Sequence, residues 1–85
     1  MNKDIENIIH VLTASYSLDE TPDPEEMDAK LENIAGRPAD ARGVAITTHH
    51  RDMSWDCDSE AEALSLSRKL QQVQNITVEI VEIED

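Results

Sequence analysis

Phenylalanine is absent from this chain, and tyrosine and tryptophan occur once each, so its core has almost no rings to build on. Packing falls to Ile, Leu, Val and Ala. The 85 residues make a single acidic domain, 1–85, and a domain of that size buries only about 60 to 65% of the surface its unfolded chain exposes. A ligand pocket of about 300 Å³ or more would remove much of so small a core. That counts against an enzyme acting on small molecules.

Cysteine is nearly absent too. Cys57 has no second thiol with which to form an internal disulfide, and the N-terminus MNKDIENIIH lacks the basic segment and long apolar run of a signal peptide. A cytoplasmic location is expected. No apolar run approaches the roughly 18 residues of a membrane span, so no membrane role is expected. The only glycines, Gly36 and Gly43, belong to no phosphate-binding loop, which leaves nucleotide chemistry without a cradle. No catalytic residue and no cofactor is assigned.

Basic residues are scarce and acidic ones abundant. Seven Lys and Arg stand against nineteen Asp and Glu, a formal charge of −12. Direct binding to nucleic acid needs clustered cations, and only Arg68 and Lys69 are adjacent. A partner should be basic instead.

The most chemically dense stretch is HHRDMSWDCD, residues 49–58. Strand alternation sends Trp55 and Cys57 to one face and His49, Asp56 and Asp58 to the other, so the thiol and the carboxylates do not converge. A structural zinc site asks for four N or S ligands at short spacings, and one Cys does not supply them. The stretch reads as structural, with Trp55 and Cys57 in the core and no metal assigned.

Hydrophobic spacing predicts the elements. Ile5, Ile8, Ile9, Leu12 and Tyr16 recur at helical intervals and predict a helix over 3–16, with His10 on its exposed side. Asp23 as N-cap, Pro24 at the first turn and Gly36 past the end predict a second helix over 24–35, with Met27, Leu31 and Ile34 as its apolar stripe. Residues 43–50 and 53–58 alternate as two strands; a turn at Arg51 and Asp52 would pair Ile46 with Cys57 and Thr48 with Trp55. Ser59 and Glu62 form a capping box for a third helix ending near Gln74, and NITVEIVEIED closes the chain as a strand with apolar residues on both faces. The predicted fold is α+β: two N-terminal helices, then a ββαβ unit with a three-stranded, mainly antiparallel sheet in order 2-1-3. The N-terminal helices are expected to cover the sheet's second face.

Function is sought in the carboxylates. Asp19, Glu20, Asp23, Glu25, Asp28 and Glu32 crowd one segment, and Asp56 and Asp58 form a second group. Neighbours three apart on a helix stand about 5 to 6 Å apart, a spacing comparable to that of phosphates along a nucleic-acid strand, so the row Glu25, Asp28, Glu32 is expected to be exposed and to imitate one. In charge and length, though in no motif, the chain is similar to small acidic inhibitors of DNA-acting enzymes encoded by phages and plasmids. The expectation is a non-catalytic acidic protein that occupies the basic surface of a nucleic-acid-binding protein. Its alternative is an accessory interaction module that pairs with a partner or with itself. The plainest reading of such a charge run is a solvated face kept for solubility.

Overall fold

The computed structural model of the protein describes residues 8–84. Its elements run β1 (Ile8–Ser17), α1 (Pro24–Ala35), β2 (Ala41–Ala45), β3 (His50–Cys57), α2 (Glu60–Leu70) and β4 (Ile76–Glu84). The four strands form one antiparallel sheet in the order β2-β3-β1-β4. β1–α1–β2 and β3–α2–β4 are therefore interleaved split β-α-β units, each with the other's first strand between its own two. The right-handedness of such crossovers sends both helices to the same side of the sheet.

This corrects the predicted fold. The expected first helix is strand β1, lying in the middle of the sheet between β3 and β4; its residues 3–7, including Ile5, lie outside the described residues. The segment IIHVLTASYS carries both periods. Leu12, Ala14 and Tyr16 alternate as strictly as Ile8, Ile9, Leu12 and Tyr16 recur helically, and all three are buried. β-branched Ile, Val and Thr tip the balance towards the pleated surface. Once β1 takes the centre, the strand at 41–45 is pushed to the edge, and the order 2-1-3 among the remaining strands cannot form.

The hairpin register also differs. Ala45 pairs with His50 and Arg42 with Met53, around a four-residue turn at 46–49, so Ile46 is not opposite Cys57 and is 87% exposed. His49 closes that turn at φ 57, the left-handed conformation that a longer hairpin loop needs near its end.

Capping is as predicted. Asp23 accepts from the Glu26 N–H, and Gly36 ends α1 at φ 84 with its N–H on the Glu32 carbonyl. Ser59 accepts from the Glu62 N–H, while the Glu62 carboxylate reaches back to the Asp58 N–H. α2 ends at Leu70, short of Gln74, although Val73 still joins the core.

The core lies between the sheet and the helices. Leu12, Ala14, Tyr16, Met53, Trp55 and Cys57 from the sheet meet Leu31 of α1 and Ala63, Leu66 and Leu70 of α2. Burying one such aliphatic side chain contributes about 1.5 to 3 kcal/mol. The Trp55 indole N–H donates to the Arg37 carbonyl at 3.1 Å, so the ring enters the core without an unpaired donor. Because both helices occupy this one side, the expected cover over the opposite face is absent among the described residues. No helix among them is long and apolar enough to cross a membrane.

Candidate functional site

Asp28, the middle of the expected carboxylate row, is buried. It lies three residues before Leu31 on the flank of the apolar stripe, so seating that stripe carries the carboxylate into the helix–sheet interface. There it accepts from the Tyr16 hydroxyl at 2.6 Å and from Arg51 Nε at 2.7 and 3.0 Å. Burial, with the Asp28 carboxylate beside it, pushes the Tyr16 phenol well above its ordinary range. The bond to Asp28 likewise raises the Arg51 guanidinium, holding it charged. Glu32 is also engaged. It accepts from the Ala39 N–H at 2.9 Å and pairs with Arg42, and these bonds, the Ala39 one foremost, lower its pKa. The expectation of an exposed ruler along α1 is thereby corrected: of Glu25, Asp28 and Glu32, only Glu25 stands free in solvent.

The other carboxylates are dispersed. Asp23 caps α1, and Asp19, in the connection from β1 to α1, bonds Nδ1 of His49 in the turn between β2 and β3 at 2.6 Å. Glu20 borders a polar cleft of about 370 Å³ with Ser15, Ser17, His50 and Thr77, at one end of the sheet. Asp58 is exposed just before α2, and Asp56 is exposed on β3. His10 is not on an exposed helix side. It is largely buried in β1, its Nδ1 3.9 Å from the Glu82 carboxylate.

Within residues 49–58, Trp55, Asp56 and Cys57 face as alternation predicts, whereas His49 sits in the turn before β3 and Asp58 beyond its end, on neither strand face. Trp55 and Cys57 are fully buried on the helix side, with Asp56 on the opposite face. Burial, and then the Glu62 carboxylate, push the Cys57 thiol up, which suppresses the reactive thiolate. No group of three or more metal-ligating side chains converges among the described residues.

What the sequence reading missed is the uncovered face. The ladders place Val11 opposite Val81 and Ile9 opposite Ile83, and these four odd-numbered side chains point away from the core. Ile9, Val81 and Ile83 are 37, 47 and 49% exposed. Asp56 flanks this cluster on β3, beside Val11, and Glu79 flanks it on β4, beside Thr13. Asp52 lies farther along β3 and accepts from Ser15 Oγ at 2.7 Å. The rest of the face carries the small side chains of Ala41, Gly43, Ala45, Ser54, Thr13, Ser17 and Thr77, with His50 at the end of β3 away from the apolar cluster.

Cations keep to the other side. Arg42 and Arg51 turn towards α1, Arg37 meets Glu62 of α2, and Lys30, Arg68 and Lys69 are on the helices themselves. Among the described residues the uncovered face holds carboxylates and no Lys or Arg. The signal was present in VEIVEIE, whose apolar residues change face midway. Compared with known proteins, the chain matches no family model, no curated protein and no solved structure.

Proposed function

We propose that the protein is a non-catalytic binding domain that docks a basic protein surface through the uncovered face of its sheet. The segregation of charge carries this reading: Asp52, Asp56 and Glu79 share the face with an apolar cluster, while every described Lys and Arg lies on the helix side. Apolar area supplies affinity by leaving water. The carboxylates supply orientation and a fast approach for a cationic partner. A nucleic-acid-binding protein matches that charge. The phosphate-like row along α1 does not support it, because Asp28 and Glu32 are spent within the fold.

The test is capture from cell lysate on three immobilised forms: wild type, Asp56→Lys with Glu79→Lys, and Glu25→Lys with Glu26→Lys. Both double variants change net charge equally, so nonspecific attraction is matched. Basic proteins held by wild type and by the α1 variant, released by salt and lost from the sheet variant, support the proposal. Equal retention on all three forms, or loss from the α1 variant alone, contradicts it.

A further inference from the structure

We infer that the occupant of the uncovered face is an amphipathic α-helix with an aliphatic stripe flanked by Lys or Arg. This rests on the proposed basic-partner reading and specifies the partner's form.

The argument begins with the backbone. The N–H and C=O groups of β1 and β3 are used in ladders on both sides, and those left free along the edge strand β4 point sideways in the plane of the sheet and not out of its face. A guest lying on that face meets side chains alone. An extended guest would bring its own unpaired donors and acceptors into contact with Ile9, Val11, Val81 and Ile83, and buried orphan backbone groups are costly. A helix satisfies its backbone internally. For a single segment of chain it is therefore the form that covers an apolar sheet face without such a cost, as α1 and α2 already do on the other side.

Dimensions agree. The apolar cluster is two residues deep along β1 and β4, about 7 Å, and one strand spacing wide, about 5 Å. Side chains at i and i+4 of a helix are separated by about 6 Å along its axis, so one such pair seats on the cluster. Asp56 stands beside the cluster at Val11 and Glu79 just past its Val81 end, two strands apart and two residues out of step, which places their Cα atoms about 12 Å from each other, one on each flank of a helix laid obliquely across the strands. A helix with its side chains is about 10 to 12 Å across. Lysines on both flanks of its apolar stripe reach a carboxylate each. The small side chains at Thr13, Ser54 and Ala41 let the next turn approach closely.

The test uses synthetic peptides of about 18 residues, or five turns. One carries a Leu stripe at helical spacing with Lys on both flanks; an isomer of the same composition alternates Leu and Lys with the period of a strand; a third has Glu in place of Lys. Affinities are measured by fluorescence anisotropy and peptide helicity by circular dichroism. The Lys-flanked helix is expected to bind at least about tenfold more tightly than its alternating isomer and to gain helicity on binding, while the Glu peptide does not bind. Val81→Ser with Ile83→Ser should abolish this preference. Asp56→Asn with Glu79→Gln, which leaves the apolar cluster intact, should weaken binding even if the first variant is destabilised. Equal or tighter binding of the alternating isomer overturns the helix assignment, and the basic-partner reading survives if Asp56→Lys with Glu79→Lys weakens both peptides. If neither Lys peptide binds, or that reversal changes nothing, both fall. A concentration-dependent dimer in sedimentation that Val81→Ser with Ile83→Ser dissolves would make a second copy the occupant and also overturn the inference.

Discussion

Arg51 of β3 holds Asp28 of α1 through two nitrogens, Nε at 2.7 Å and Nη2 at 2.6 Å from the same carboxylate oxygen, inside the helix–sheet interface. Tyr16 completes the arrangement from the central strand. This pair fixes where α1 sits, and it removes from the surface the carboxylate at the centre of the expected acidic row.

Replacing Asp28 with Ala would strand the Arg51 charge and the Tyr16 hydroxyl in that interface. Removing one partner of a buried pair costs about 3 to 5 kcal/mol, whereas the exposed change Glu25→Lys should cost about 1 kcal/mol, for the carboxylate lost from the first turn of α1. Urea unfolding of the two variants checks the contrast. A loss at Asp28→Ala no larger than at Glu25→Lys would show that the pair does not hold the interface.

Acid should loosen the α1–β2 connection through Glu32. Its folded pKa lies below the ordinary 4.5 because the Ala39 N–H and Arg42 bond the carboxylate. A depressed carboxylate contributes stability that is present above its unfolded pKa and is lost as pH falls through the folded one. Thermal midpoints followed from neutral pH to below 4.5 should fall less steeply in Glu32→Gln than in wild type. Parallel acid limbs would remove Glu32 from this role.

Cys57 should be unreactive in the folded protein. It is fully buried, and burial raises its thiol pKa. A disulfide reagent at mildly alkaline pH should label it only at the rate of unfolding and at once in denaturant. Rapid labelling of the native protein would place the thiol at the surface instead.

Local chemistry was the most legible part of the sequence. Asp23, Pro24 and Gly36 bound α1 because capping depends on neighbours in the chain, and Ser59 with Glu62 opens α2 for the same reason. Trp55 and Cys57 were read correctly into the core because strand alternation alone decides their face. β1 was not legible, since its apolar residues satisfy both periods and only its position between β3 and β4 selects the strand. The burial of Asp28 was hidden for a related reason: Tyr16 and Arg51, which receive it, are 12 and 23 residues away in sequence. The uncovered face follows from both. With β1 in the sheet only two helices remain among the described residues, and both crossovers place them on one side.

The most direct measurement is an amide and methyl NMR titration of the wild-type protein with the Lys-flanked helical peptide, since it locates the docking surface residue by residue. The largest shifts are expected at Ile9, Val11, Asp56, Glu79, Val81 and Ile83, with Glu25 and Glu26 of α1 unmoved. Shifts centred on α1, or spread evenly over every exposed carboxylate, would contradict docking on the uncovered sheet face.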